Sequence, residues 1–353
     1  MLQQVQLYDD SLDFEENKAK GPFGDYADTE LAYENPGEPK YDFFGTSVYS
    51  PFGIAAGPLP TTQFISSALR KGFDIVTLKS VRTDSFPLNP YPQVRPIEFS
   101  GDLDPDTPAV LVTDKYSMPL AVANSFGIPS VPPAKWQPDM RTSLKLPKKG
   151  QALLVAFQGT AHGKGREDFI QDHLTGIGLV RQTGAQVVEI NLSCPNEGEE
   201  VLACFDIDIT ERIVKSAREA NPDLKLIIKL AYFSDPARLK KLIKRVGDYV
   251  DGISAINTIP APVVDKTGNE VFPGRPKAGI SGAPIRWAGL EMTGFLKKFR
   301  DELGYGYKIL GMGGVLSPDD FYQYRKAGAD IVMAVTGAMW NPSLAAQIKQ
   351  SLK

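Results

Sequence analysis

Eight short apolar runs that alternate with helical patterns constrain the fold of this 353-residue chain most strongly. Several runs are rich in Val, Ile and Leu, which is typical of parallel strands buried on both faces. The eight predicted strands are residues 53–57, 74–79, 152–157, 187–190, 225–230, 252–257, 308–311 and 330–334. Helical patterns separate several of them, as over 210–220, 236–246 and 318–327. Eight such units predict an α/β fold, a closed (β/α)8 TIM barrel, rather than an open doubly wound sheet.

Two parts of the chain lie outside this pattern. Residues 1–45 are acidic and rich in Gly and Pro, and they predict an N-terminal arm without a helix. Aromatic residues in the arm favour packing on the barrel or on a partner subunit, and a partly disordered tail is the alternative. Within the barrel domain at 46–353, residues 84–150 are rich in Pro and Asp and predict a long insertion between strands two and three. Long loops at the catalytic edge of a barrel are usually lids or binding loops.

Composition excludes several classes of function. The net charge of −3 gives no reason to expect nucleic acid or an anionic membrane surface as a partner. Two cysteines are too few for a disulfide framework or an iron–sulfur cluster, and we expect a reducing, cytoplasmic location and no metal site. No apolar run is as long as a membrane span, and the N-terminus lacks the pattern of a secretory signal.

The segment Asn191-Leu-Ser-Cys-Pro-Asn196 directly follows the fourth predicted strand. In a (β/α)8 barrel the chemistry takes place at the C-terminal ends of the strands. Cys194 is a candidate acid or base at this edge, and the two carboxamides can each donate and accept hydrogen bonds to a flat, amide-like ligand. The alternative is an ordinary strand-to-loop turn with Cys194 as a small core residue.

Further polar residues are predicted at the same edge. Asn124 lies in the insertion, and Asn257 with Thr258 ends the sixth strand. Four asparagines on one face match a polar heterocycle with several amide edges, although any one of them is most often a turn residue. Histidine is scarce: His162 is a rival site residue or part of a solvent loop, and His173 is expected on a helix surface.

Glycine-rich turns predict a phosphate-bearing ligand. Residues 311–315 follow strand seven, and residues 335–337 follow strand eight and open a helix. Backbone N–H groups in such turns approach phosphate closely, and phosphate sites at these two strand ends recur in TIM barrels. The loop 278–282 precedes a helix and could add donors, whereas the alternative is tight turns only.

Two lysines, Lys79 and Lys229, lie at or near strand ends. A lysine inside an apolar strand is costly unless it is paired or faces a ligand. We therefore expect Lys229 to point into the mouth of the barrel, and snorkelling of its side chain to the rim is the alternative.

Five segments together resemble dihydroorotate dehydrogenase. They occur in the family's order within roughly residues 47–345, and they are Thr77-Leu-Lys-Ser80, Asn124-Ser-Phe-Gly-Ile-Pro129, Asn191-Leu-Ser-Cys-Pro-Asn196, Ile280-Ser-Gly282 and Gly311-Met-Gly-Gly-Val315. Cysteine at position 194 is similar to the soluble class 1 enzymes, whereas the membrane-bound class 2 enzymes carry serine there.

The resemblance implies FMN on the C-terminal face of the barrel and oxidation of dihydroorotate to orotate in pyrimidine biosynthesis. It implies that Cys194 takes a proton from C5 of dihydroorotate and that the hydride on C6 passes to the flavin. It also implies that Lys79 lies close to both the flavin and the substrate. The implied substrate-binding residues are Asn124, Phe126, Gly127, Ile128, Asn191, Asn196, Asn257 and Thr258. The implied cofactor-binding residues are Ala55, Ala56, Gly57, Lys79, Ser80, Asn191, Lys229, Asn257, Gly279, Ser281, Gly282, Gly313, Gly314, Thr336 and Gly337.

Two positions depart from the family pattern. Ala56 replaces the serine of Ala-Ser-Gly, and Gln93 replaces the arginine of Asn-Pro-x-Pro-Arg. With the unusual arm and insertion, they leave the lid, the dimer interface and the electron acceptor open. We favour fumarate as acceptor and a homodimer, with an electron-transfer partner subunit relaying to NAD as the main variant. The lack of an N-terminal apolar helix argues against direct quinone use.

Two other functions are compatible with these residues. One is an FMN-dependent reductase of another cyclic amide or dihydropyrimidine. The other is a non-catalytic barrel scaffold, because a fold does not fix a function.

Overall fold

The computed structural model describes residues 7–30, 32–35, 37–99, 101–161, 163, 165–193 and 202–352. Among these residues, eight parallel strands close into one barrel. In chain order they are β3 (Phe52–Ile54), β4 (Ile75–Val81), β8 (Ala152–Phe157), β9 (Val187–Asn191), β10 (Lys225–Leu230), β11 (Gly252–Ala255), β14 (Lys308–Met312) and β15 (Ile331–Ala334). The predicted (β/α)8 barrel and all eight predicted strands are confirmed.

Helices surround the barrel. They are α2 (Thr62–Arg70), α3 (Pro133–Ser143), α4 (Arg166–Arg181), α5 (Ile207–Ala220), α6 (Pro236–Val246), α7 (Arg286–Leu303), α8 (Pro318–Ala327), α9 (Thr336–Trp340) and α10 (Leu344–Ser351). The predicted helices at 236–246 and 318–327 are confirmed. Helix α5 begins earlier than predicted because the Asp206 side chain caps it by accepting the N–H of Ile209 at 3.0 Å.

Helix α3 lies inside the range predicted for the insertion, but it belongs to the barrel. It bonds to α2 through Thr62 and Asp139, whose Oγ1 and Oδ1 are 2.8 Å apart. It bonds to α4 through the Gln137 amide, which donates to the Leu179 carbonyl at 2.8 Å. The part of the predicted insertion that leaves the barrel therefore ends where α3 begins.

A second, five-stranded closed barrel stands on the mouth of the first. The insertion supplies β5 (Val94–Glu98), β6 (Val110–Val112) and β7 (Ala121–Asn124), and the connection from β11 to α7 supplies β12 (Ile259–Val264) and β13 (Lys277–Gly282). Strand β13 runs antiparallel to β7. Residues 278–282 were predicted as a loop, and that prediction is wrong because the partner strand is distant in the sequence.

The N-terminal arm contains a helix, contrary to the prediction. Its elements are α1 (Phe14–Lys20), a 3-10 turn (Gly24–Ala27) and the hairpin strands β1 (Tyr41–Phe43) and β2 (Thr46–Val48). Asp13 and Glu16 form a capping box at the start of α1, which offsets its short length. The predicted packing of the arm on the barrel is confirmed, since the buried Tyr26 hydroxyl donates to the Ala338 carbonyl at 2.6 Å.

The β1–β2 hairpin plugs the N-terminal end of the barrel. Phe43 and Val48 pack in one buried cluster with interior side chains such as Ile75, Leu154 and Ile227. Burial of apolar side chains at this end leaves the C-terminal mouth as the open end.

His173 is buried in α4 rather than exposed on its surface, so that prediction is wrong. Its Nε2 accepts the N–H of Gly159 at 3.2 Å, and its Nδ1 lies 2.9 Å from the Phe169 carbonyl. An accepting Nε2 requires the proton on Nδ1, which then donates to Phe169. His173 therefore holds the end of β8 to α4. His162 lies outside the described residues.

A buried ion pair ties the C-terminal helix to the barrel. Lys349 of α10 lies 2.7 Å from the Asp74 carboxylate, which also accepts the Ser50 hydroxyl at 2.6 Å. Burial raises the pKa of Asp74 and lowers the pKa of Lys349, so each group needs its partner to remain charged.

Replacing Lys349 with methionine leaves the Asp74 carboxylate buried without its cation. We expect Lys349→Met to lower the free energy of unfolding by about 3 kcal/mol, measured by urea denaturation. The exposed Lys326 provides a control of equal charge, and Lys326→Met should change stability by less than about 0.5 kcal/mol. Equal small effects in both variants would show that the pair contributes little.

Candidate active site

The mouth of the barrel opens into a cavity of about 1270 Å³. Its walls combine the strand ends of the TIM barrel with the facing side of the five-stranded barrel. This volume exceeds the usual range for a single small-molecule site, so it can hold a cofactor and a substrate together.

The charged side chains in the described lining of the cavity are all positive. Its described lining includes Lys79, Lys229, Arg275 and Lys277 and no aspartate or glutamate, although the whole chain carries a net charge of −3. Charges of one sign in a cleft with low-dielectric walls focus the field. The site is therefore suited to anionic groups such as carboxylate and phosphate.

Strand register fixes the position of Lys229. On β10 it lies opposite Asn191 of β9 and Ser254 of β11. Its side chain lines the cavity although the residue is only 4% exposed. The predicted orientation into the barrel mouth is confirmed. A cation this deeply buried is costly unless an anionic or polar group of a ligand compensates it.

Two of the predicted asparagines are joined through Ser193. The Asn191 Oδ1 accepts the Ser193 hydroxyl at 2.9 Å, and the Asn257 Nδ2 donates to the Ser193 carbonyl at 3.1 Å. These bonds fix both carboxamides and leave the Nδ2 of Asn191 and the Oδ1 of Asn257 for a ligand. Both residues line the cavity, whereas Cys194 and Asn196 lie outside the described residues.

Asn124 is held by the second barrel. It lies opposite Gly279 in the β7–β13 pair, and its Nδ2 donates to the Gly279 carbonyl at 3.0 Å. The next residue, Ser125, is held by a hydrogen bond, because the Asn89 Nδ2 donates to its hydroxyl at 3.1 Å. The Oδ1 of Asn124 remains as an acceptor, and the residue lines the cavity.

Arg275 is a site residue that sequence reasoning missed. It precedes β13 and donates to the Asn89 Oδ1 at 2.7 Å while lining the cavity. Gln93, which stands where the family pattern has arginine, donates to the Asn89 carbonyl at 2.9 Å. Gln93 therefore places no positive charge at this position. Arg275, from another part of the chain, places its guanidinium group beside the same residue, Asn89.

The glycine turns meet below the second barrel. Gly282, Gly313 and Gly314 have φ of 89°, 122° and 68°, a region that favours glycine. A Cβ on Gly314 would lie 2.6 Å from the Gly282 carbonyl, so the two turns are in contact. The Thr336 hydroxyl lies 3.2 Å from that of Ser281 beside them. These turns offer backbone donors to an anionic group.

Most predicted site residues line this one cavity. They are Ala56, Gly57, Lys79, Ser80, Asn124, Phe126, Gly127, Ile128, Asn191, Lys229, Asn257, Thr258, Gly279, Ser281, Gly282, Gly313, Gly314 and Thr336. Two of the predicted residues that the structure describes do not line it. Ala55 is buried in the barrel interior, and a Cβ on Gly337 would meet the Val315 carbonyl at 2.1 Å, so this glycine serves packing.

The described cysteine is unsuited to chemistry. Cys204 is a free thiol buried away from the cavity lining, and its burial raises the pKa to about 12. A thiol with this pKa stays protonated at neutral pH and is a poor base or nucleophile.

Fold and cavity together define a (β/α)8-barrel protein whose mouth holds one large cavity lined by cations, carboxamides and glycine turns. The family model for dihydroorotate dehydrogenase matches residues 116–353. A dihydroorotate dehydrogenase of Dictyostelium discoideum is 32% identical over 96% of this chain and 95% of its own length. The chain belongs to the dihydroorotate dehydrogenase family and is an FMN-dependent oxidoreductase.

Other relatives differ in their electron acceptor. The catalytic subunit of a dihydroorotate dehydrogenase B (NAD(+)) from Thermodesulfovibrio yellowstonii is 26% identical over 67% of this chain and 74% of its own length. A dihydroorotate dehydrogenase (quinone) from Polaromonas naphthalenivorans is 26% identical over 85% of this chain and 82% of its own length. The crystal structure of DHODH from Eimeria tenella in complex with ferulenol shares the fold, with a TM-score of 0.69 and 18% identity over 92% of this chain and 85% of that one.

The lining fits FMN. Gly57 borders the cavity, and nothing lies within 4 Å of the position that a Cβ would take there, which leaves room for a flat ring. The glycine turns around Gly314 line the same cavity, and backbone N–H groups in such turns are donors of the kind that a phosphate requires. The part of the chain that the structure describes contains no helix with the length and hydrophobicity that a membrane span requires.

We expect Lys229→Met to weaken FMN retention, because the cavity then loses its most buried cation. The Kd for FMN should rise about tenfold or more, measured by titrating the deflavinated protein and following flavin fluorescence. Lys241→Met, an exposed position on α6, is the control and should bind FMN normally. An unchanged Kd in Lys229→Met would contradict a role in holding the cofactor.

Proposed function

We propose that Cys194 is the base in the oxidation of dihydroorotate to orotate and that the chain is a class 1, cysteine-type enzyme. The oxidation itself, a step of pyrimidine biosynthesis, is the activity of the family. The observation that carries the proposal is the fixed pair of carboxamides, Asn191 and Asn257, joined through Ser193 next to Cys194. A base that follows Ser193 directly would lie beside the edge of the bound pyrimidine.

The charge of the cavity supports a thiolate at position 194. A cysteine has a reference pKa of about 8.5, and neighbouring cations lower it. Lys79, Lys229 and Arg275 line the cavity, and no acidic residue does so within the described lining. An available thiolate at neutral pH would take the proton from C5 without a histidine.

The remaining residues would bind and orient the two ligands. We propose that the amide edges of the pyrimidine bond to Asn124, Asn191 and Asn257 with Thr258, and that Asn196 joins them. The substrate carboxylate would lie beside Lys79 and the backbone of Phe126, Gly127 and Ile128. The ribityl phosphate of FMN would lie at the turns of Gly279, Gly282, Gly313 and Gly314, with Thr336. Bound FMN supplies the hydride acceptor.

The electron acceptor is a separate part of the proposal. Cysteine at position 194 supports the cysteine-type enzymes, and we propose fumarate as acceptor, with an electron-transfer partner subunit relaying to NAD as the variant. We also propose a homodimer. Leu111 and Met118 on the insertion, which are 44% and 60% exposed, are candidates for contacts with the second subunit.

The base is tested by anaerobic reduction of the flavin. Dihydroorotate should bleach the visible absorbance of the wild-type protein rapidly, and Cys194→Ala should retain FMN but be reduced at least about 100-fold more slowly. Cys204→Ala, which removes the thiol outside the cavity, is the matched control and should be reduced at a normal rate.

Each other outcome has a distinct meaning. Flavin reduction in Cys194→Ala at the wild-type rate would contradict the assignment of Cys194 as the base. A yellow wild-type protein that dihydroorotate does not bleach would favour the reductase of another cyclic amide, and a colourless one that FMN cannot reconstitute would favour the scaffold.

The acceptor is tested on the reduced protein. After anaerobic reduction, fumarate should restore the flavin absorbance faster than a soluble ubiquinone analogue or NAD⁺, as followed by stopped flow. Reoxidation by the quinone alone would overturn the fumarate proposal and support a quinone-type enzyme. Reoxidation by NAD⁺ only after addition of a flavin–iron–sulfur subunit would support the partner variant.

A further inference from the structure

The N-terminal arm reaches the cavity. Tyr8 and Phe14 line it, and Phe14 is the first residue of α1. The Phe14 ring centroid lies 5.1 Å from the Lys79 ammonium, and the Phe126 ring centroid lies 5.8 Å from it. Two aromatic faces from distant parts of the chain therefore approach the same cation.

These rings belong to one packed group, Tyr8, Phe14, Phe64 and Phe126, which we call the Lys79 aromatic cluster. The rings of Phe14 and Phe126 are 5.8 Å apart at 73°, and the ring of Tyr8 lies 5.6 Å from that of Phe64 at 86°. Edge-to-face contacts of this kind are favourable for aromatic pairs. Phe14 is only 3% exposed, so its ring has little freedom to turn away from Lys79.

Hydrogen bonds anchor this part of the arm. The Tyr8 hydroxyl donates to the Pro58 carbonyl at 3.0 Å, and the Tyr91 hydroxyl of the insertion donates to the Asp10 carbonyl at 3.0 Å. The buried Asn17 side chain bonds to the backbone carbonyls of Asp9, Leu12 and Asp13. The arm is thus fixed to the barrel and to the insertion on either side of the cluster.

We propose that Phe14 is a positioning residue for Lys79 and that the arm thereby completes the binding site for the substrate carboxylate. An aromatic face attracts an ammonium group but brings no net charge. A carboxylate in the same place would hold Lys79 as well, but it would also cancel the positive field that an anionic substrate needs. The ring can therefore hold the ammonium group without adding a negative charge beside it. This inference rests on the proposed binding of dihydroorotate beside Lys79.

The test compares three variants by titration of the FMN-loaded protein with orotate, followed through the flavin spectrum. Phe14→Leu keeps an apolar side chain but removes the ring, and it should raise the Kd for orotate about five- to twentyfold. Phe14→Tyr keeps the ring and should bind within about twofold of wild type. Phe64→Leu changes the same cluster away from the cavity lining and should also leave the Kd nearly unchanged.

A double-mutant cycle distinguishes positioning of Lys79 from general packing. In a Lys79→Met background, Phe14→Leu should cause little further loss of orotate affinity. An equal loss with and without Lys79, or a loss in Phe14→Tyr as large as in Phe14→Leu, would overturn the proposal. Failure of the wild-type protein to bind orotate would instead overturn the proposed function on which the inference rests.

Discussion

Lys229 lies between Asn191 and Ser254 because β9, β10 and β11 run parallel in a fixed register. A shift of one residue in a strand sends every side chain to the opposite face. A slip in β10 would turn Lys229 toward the surrounding helices and would place an apolar neighbour at the mouth. The register is held by apolar residues that belong in the interior, such as Ile227 two positions earlier. The chemistry of the mouth therefore depends on packing deeper in the barrel, and the hairpin plug at Phe43 supports that packing from below.

The second barrel converts this open mouth into an enclosed site. Its β7–β13 pair joins the insertion to the connection before α7, and the bond from Asn124 to the Gly279 carbonyl lies at that joint. Asn124, proposed to bind the pyrimidine, and Gly279, proposed to bind the phosphate, are consequently parts of one small sheet. Arg275, in the same connection, reaches Asn89 behind the segment that follows Asn124. Movement of the insertion relative to β13 would therefore disturb the proposed pyrimidine and phosphate sites together. The backbone pairing of β7 with β13 opposes such movement.

Prediction from sequence succeeded where the signal was local. The buried strands of the TIM barrel are continuous apolar runs, and Pro236 and Pro318 mark the first turns of their helices. The predicted positions of Lys229, Asn191 and Asn257 followed from those strand ends. Sequence reasoning missed β12 and β13, because proline at 260 and 262 obscures the strand pattern and the partner of β13 is far away in the chain. It missed Arg275 for the same reason, since its partner Asn89 is 186 residues distant. It also missed α1, where the pair Asp13 and Glu16 was a readable capping signal within an otherwise polar segment.

The cations of the cavity show how function limits stability at this site. Lys349 and Asp74, far from the mouth, compensate each other's burial. A carboxylate beside Lys229 would lower the cost of burying this lysine, but it would also compete with every anionic ligand for the same ammonium group. Two uncharged rings, those of Phe14 and Phe126, lie beside the Lys79 ammonium group. The arm then does more than cover apolar surface, because its removal would expose Lys79 to water and weaken the field at the place where the substrate carboxylate is proposed to bind.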